Sequence, residues 1–121
     1  MCYNYLNELN IYNNINIIMV YSNVRLNDSE VKAIKDFANL MFTDPSIYIF
    51  GSRADLSLRG GDIDIYIETG DDAGEILNKK INFLTELVKK LGEQKIDVVI
   101  KGKNSKDKDI FNIAKKTGVM I

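Results

Sequence analysis

Asp62 and Asp64 stand two apart in the run Asp62-Ile63-Asp64-Ile65-Tyr66-Ile67-Glu68. In an extended chain successive side chains point to opposite faces, so Asp62, Asp64, Tyr66 and Glu68 share one face and Ile63, Ile65 and Ile67 the other. At roughly 3.3 Å per residue the two carboxylates are about 7 Å apart, a spacing that can share a pair of divalent cations. Upstream, Gly51-Ser52 directly follows the apolar run Ile47 to Phe50. Gly51 permits a sharp exit from a strand, and the turn can offer backbone N–H groups and a hydroxyl to a phosphate. Together these residue types suit metal-assisted chemistry on a nucleotide.

Asp97 is the candidate third carboxylate. It lies inside Lys95-Ile96-Asp97-Val98-Val99-Ile100, where an acid is out of place. An unpaired carboxylate is too costly to bury, so Asp97 must meet a cation, accept hydrogen bonds or sit at an exposed edge. Either it joins Asp62 and Asp64 around metal, or it pairs with Lys95 or Lys101. Lys95 and Val99 share its face, while Ile96, Val98 and Ile100 would pack on a helix layer. Arg53 has two readings, a phosphate contact or a pair with Asp55, and Arg59 has the same two. Tyr48 and Tyr66 read as packing residues, and Lys106, Lys108, Lys115 and Lys116 as a solvated face. No Gly-Lys-Ser/Thr follows the Gly51 turn, so it is not a P-loop.

Composition narrows the chemistry. The chain has 121 residues, 45% hydrophobic, which is one domain with one ordinary core. There is no histidine, which excludes a Ser-His-Asp triad, an HExxH zinc site and an imidazole base. With Cys2 as the single cysteine, an internal disulfide is excluded and a reducing, cytoplasmic setting is expected. Any metal should be a hard cation on carboxylates, Mg²⁺ or Mn²⁺. A net charge of −1 and a pI near 5.4 give no basic footprint, so no direct nucleic-acid partner is expected. No run reaches the ~18 apolar residues of a membrane span.

The elements that must position these residues follow from pattern. Residues 1–26 read as an N-terminal extension of unknown role, rich in Asn, Tyr and Ile, with Met19 an alternative start and a short strand or helix around Ile15 to Val20. Asn27 and Glu30 form a capping-box signature, and Val31, Ile34, Ala38 and Met41 recur at helical spacing, which predicts a helix from about Asp28 to Met41. A strand is expected at Ile47–Phe50, a short helical turn at Ser52–Leu56, a loop at Arg59–Gly61 and a strand at Asp62–Glu68. Asp72 with Glu75 repeats the capping signature ahead of a helix from about Ala73 to Leu91, with Ile76, Ile81, Leu84, Val88 and Leu91 as its apolar stripe and Gly92 as its stop. A strand at Ile96–Ile100, a helix capped by Ser105 and running to about Lys116 on Ile110, Ile113 and Ala114, and a short strand at Val119–Ile121 complete an α/β (α+β) fold, a sheet layered with helices.

Gly51-Ser52, nine residues, then Asp62-Ile63-Asp64 resembles the signature of the DNA polymerase β-like nucleotidyltransferase superfamily, and the small size resembles its minimal nucleotidyltransferase branch. The segment Gly60-Gly61-Asp62-Ile63-Asp64 matches a variant of that signature. Many minimal members carry a second basic residue and a glycine soon after Gly-Ser-Arg; this chain has Ala54-Asp55 there and Arg59-Gly60 only later. The resemblance covers residues 27–121. It implies a small mixed sheet with helices packed against it, transfer of AMP from ATP, two Mg²⁺ ions on Asp62, Asp64 and Asp97, and a nucleotide held at Gly51, Ser52 and Arg53. It also implies an antitoxin that adenylylates a tyrosine of a co-encoded helical HEPN-type RNase toxin; without histidine, this chain cannot carry that RNase's own Arg…His motif. A non-catalytic antitoxin that works by masking its partner, and a small-molecule enzyme of the aminoglycoside-modifying kind, are the alternatives.

Overall fold

A computed structural model of the chain describes residues 23–121; the expectations for Ile15 to Val20 and for Met19 lie outside the described residues. The element order is α1 (Asp28–Met41), β1 (Ser46–Phe50), a 3₁₀ turn (Gly51–Ala54), β2 (Ile63–Asp72), a second 3₁₀ turn (Ala73–Glu75), α2 (Ile76–Leu91), β3 (Ile96–Lys103), α3 (Asp109–Thr117) and β4 (Val119–Met120). The four strands form one sheet in the order β3-β2-β1-β4, with β2 and β3 parallel and the other pairs antiparallel.

The alternation on β2 builds two layers. Ile63, Ile65 and Ile67 face α1 and α2 and join Ile47, Ile49, Val98 and Ile100 in the main core. On the other face Tyr48 and Tyr66 pack against Phe111 and Ala114 of α3, with ring centroids 5.7 Å and 5.9 Å apart for the Tyr48–Tyr66 and Tyr66–Phe111 pairs. Both tyrosines are therefore packing residues, and α3 covers the polar face of the sheet over its middle.

Local chemistry fixes the helix ends. The Asn27 side chain accepts from the Glu30 N–H at 2.8 Å, and the Glu30 carboxylate accepts from the Asn27 N–H at 3.0 Å, a complete capping box. The second oxygen of Glu30 accepts from Gln94 Nε2 at 3.0 Å, which ties α1 to the turn ahead of β3. Gly92 ends α2 with φ +81, in the left-handed range that suits glycine.

Several expectations are corrected. Val24 and Leu26, read as part of an extension, are buried in the main core. β2 does not stop at Glu68 but runs on through Gly70, Asp71 and Asp72. Asp71 is buried there because its carboxylate accepts from the Thr43 N–H and hydroxyl, the Thr69 hydroxyl and the Lys79 ammonium. Asp72 caps no helix; its side chain accepts from Asn104 Nδ2. Ser105 does not cap α3, which begins at Asp109, but closes a turn after β3 by accepting from the Gly102 N–H. Ile81 and Val88 on α2, and Ile110 and Ile113 on α3, are exposed rather than buried.

Candidate active site

β1 delivers the turn and β2 the first acids. Gly51 leaves β1 at φ +67 and opens the 3₁₀ turn Gly51–Ala54. A β-carbon added at Gly51 would collide with the Asp64 carboxylate, so only glycine lets that carboxylate lie against the turn. In the β1–β2 register Asp64 pairs with Phe50, and in the parallel β2–β3 register it pairs with Asp97. Paired residues on neighbouring strands stand about 4.8 Å apart with side chains on the same face. The structure thus brings together Gly51, Asp64 and Asp97 at one end of the sheet.

Electrostatics reflect this crowding. Partial burial raises the Asp64 pKa, and the charges of Asp97 and Asp62 raise it further, against a lowering by Lys95. Asp62 immediately precedes β2 and is turned toward Lys95, with Nζ to Oδ2 at 3.5 Å. Asp97 lies on the exposed side of the edge strand β3. Its sequence neighbours are engaged elsewhere, Lys95 with Asp62 and Lys101 with Asp107 at 3.9 Å. Among the described residues no group of three acids is already arranged to hold a metal ion. The donor chemistry nevertheless fits a hard divalent cation: carboxylate oxygens only, two of them on paired residues, with repulsion at Asp64 that a cation relieves.

Two arginines build the loop between turn and acids. Arg25 donates from Nε to the Asp55 carbonyl and from Nη2 to those of Ser52 and Gly60, at 2.8, 2.8 and 2.9 Å. Arg53 donates to the carbonyls of Arg25 at 2.7 Å and Gly61 at 3.2 Å. The Arg25 N–H in turn donates to the Arg53 carbonyl at 2.8 Å. Arg53 therefore works as a staple that ties the Gly51–Ala54 turn to Arg25 and Gly61. Its pairing with Asp55 is replaced: the Asp55 carboxylate accepts from the Ser57 hydroxyl and N–H, which lower its pKa. Ser52 sits inside this loop, where a β-carbon on Gly61 would strike its hydroxyl. Arg59 lies exposed on the loop. Sequence reasoning missed Arg25; the alternation Val24-Arg25-Leu26, a polar residue between two buried ones, is the signal that marks it.

Below the acids, the Tyr66 hydroxyl donates to Glu68 at 2.7 Å and Lys115 reaches the same carboxylate at 3.2 Å. Burial, and then the Glu68 partner, push the Tyr66 phenol well above its usual range, so it stays protonated and closes the floor of the site. Residues 31–119 match the family model described as a nucleotidyltransferase domain. No curated protein matches the chain. Among the described residues no helix is long and apolar enough to cross a membrane.

Proposed function

Because this chain belongs to the nucleotidyltransferase domain family, we propose that its carboxylate face transfers AMP from ATP to a hydroxyl on a partner protein, the tyrosine of a co-encoded helical HEPN-type RNase toxin, and that the chain is the antitoxin of the pair. The observation that carries this reading is the register pairing of Asp64 with Asp97 beside the Gly51–Ser52 turn. Nucleotidyl transfer requires acids for metal and a turn for phosphate at one place, and here they share one end of the sheet.

Asp62, Asp64 and Asp97 would hold Mg²⁺ or Mn²⁺, which when bound neutralises triphosphate charge and acidifies an attacking hydroxyl. The chain's own residues do the rest. The Gly51–Ser52 turn, held by Arg25 and Arg53, presents N–H groups and a hydroxyl to the terminal phosphates. The acceptor oxygen attacks the α-phosphorus, the bond from that phosphorus to the bridging oxygen breaks, and pyrophosphate leaves. The acceptor proton goes to water or to Asp97, whose exposed position on β3 lets an incoming hydroxyl approach. Asp97, Asp62 and the loop from Asp55 to Gly60 are open to solvent in whole or part, which suits an acceptor as large as a protein.

The test is intact-mass spectrometry of the co-encoded protein after mixing with this chain, ATP and Mg²⁺. The expected result is a gain of one or more AMP units with the wild-type chain and none with Asp64→Asn. An unmodified partner, neutralised equally well by Asp64→Asn, would replace transfer with masking.

A further inference from the structure

The outer side of α2 and the edge of β3, uncovered among the described residues, form one continuous surface. Leu77, Ile81, Leu84 and Val88 fall within about 60° of arc on a 3.6-residue helix. Three of them are exposed, Leu77 at 67%, Ile81 at 52% and Val88 at 48%, whereas Phe83 and Leu87 are buried and Ile76, Leu84 and Leu91 half-buried. α1 does not cover them, because it packs on the opposite flank, where Phe83 meets Phe42 edge-on at 5.6 Å. The stripe therefore overhangs β3, which is the sheet's edge among the described strands.

The β3 backbone is open on the same side. The Lys95 carbonyl accepts from Ile63 N–H on β2, so alternation turns the N–H and C=O of Ile96, Val98, Ile100 and Gly102 outward. Gly102 is satisfied locally, since Ser105 takes its N–H at 2.9 Å and its carbonyl at 3.2 Å. Among the described residues no strand pairs with the outward groups of Ile96, Val98 and Ile100, which leaves a template for another strand.

We propose that this side binds a second copy of the chain. β3 would pair antiparallel with β3 of the second copy about a two-fold axis through Val99, and the two α2 stripes would meet above the joined sheet. Charge favours a second copy as the occupant, and charge together with the Gly102 turn favours this register. With Val99 on the axis, Asp97 opposes Lys101 of the second copy and Lys101 opposes its Asp97, while Val98 and Ile100 exchange backbone hydrogen bonds. The next register toward the strand's start would set Lys95 against Lys101 with no Asp97–Lys101 pair to offset it, and the next toward the strand's end would need the Gly102 groups that Ser105 already holds. In the Val99 register Lys95 and Lys103 oppose each other only beyond the paired segment, which ends at that turn. An isologous contact needs this self-complementarity, and the strand supplies it twice. The Lys101–Asp107 pair is long and exposed, so Lys101 can change partner. A carboxylate that binds metal through one oxygen keeps the other for such a contact. Asn78 and Thr85 beside the stripe's outer flank are uncharged, and Lys80 is the charged residue on its other flank.

Sedimentation velocity on the full chain tests this without reference to its activity. The wild type should sediment at twice the chain mass of 13.7 kDa. Ile81→Glu with Val88→Glu changes exposed positions, so the fold should persist by circular dichroism while the mass falls to that of one chain. Lys101→Asp sets acids opposite each other and should raise the dissociation constant on the order of tenfold; adding Asp97→Lys should restore the dimer. A one-chain mass for wild type at every concentration would assign this side to another protein and overturn the proposal. So would a dimer indifferent to the stripe variants, or a charge swap that fails to restore association.

Discussion

Burial beside the Gly51 turn and repulsion from Asp97 and Asp62 raise the Asp64 pKa above its ordinary value of 3.8. The sign of the consequence is fixed. A carboxylate that holds its proton more tightly when folded favours the native state at low pH, and that favour is lost as pH rises through the folded pKa. Ionised Asp64 therefore destabilises the metal-free protein at neutral pH. Asp64→Asn should melt at or above the wild-type temperature at pH 7 without metal, and the difference should shrink as pH falls toward 3.8. Melting curves across that range, in a chelator, check it; a lower transition for Asp64→Asn at pH 7 would mean that Asp64 is a stabilising contact. Asp71 is the contrasting acid. Burial alone would raise its pKa, but hydrogen bonds from Lys79, Thr43 and Thr69 outweigh that and hold it well below the usual range. It therefore stabilises the fold above its ordinary pKa, and that contribution fades as pH falls below it. One carboxylate is crowded by its neighbours and the other is satisfied by them.

At the scale of elements, the Gly51–Ala54 turn is the joint on which the site depends. Gly51→Ala forces a β-carbon into the left-handed region and into the Asp64 carboxylate. The backbone penalty alone is about 1–2 kcal/mol, or roughly 4–8 °C per kcal/mol in a domain of this size. Thermal melting should show that loss, and Mn²⁺ affinity should fall with it because Asp64 is displaced; a variant matching wild type in both would remove Gly51 from the site. Much of this architecture was legible in the chain. The Asn27–Glu30 box, the Asp62–Glu68 alternation and Gly92 are local signals, and each element they predict is present. What was illegible depends on partners distant in sequence. β2 continues past Gly70 because Thr43, in the connection ahead of β1, accepts from the Gly70 N–H and donates to Asp71. Arg25 serves a loop some thirty residues away. The α2 stripe reads as core because a helical period shows which residues are apolar and not how far a four-stranded sheet reaches beneath them. The pairing of Asp97 with Asp64 lies between these cases: the crossover length returns β3 beside β2, and parity sets the face.

At the scale of the whole molecule the two proposed surfaces meet at Asp97, which stands beside Asp64 and on the outer strand of the described sheet. One end of the sheet gathers Gly51, Ser52, Asp62, Asp64 and Asp97, α3 closes the floor behind them, and among the described residues no element covers the outer side of β3. The central claim is that the acids and the turn form one nucleotide site that needs a cation to work. Calorimetric titration of ATP into the chain, with Mg²⁺ and then with EDTA, tests this most directly because it requires no acceptor. The expected result is markedly tighter binding with Mg²⁺, since clustered carboxylates otherwise repel the triphosphate, and loss of that gain in Asp64→Asn. Equal affinity with and without the metal, or a gain that Asp64→Asn retains, would contradict it.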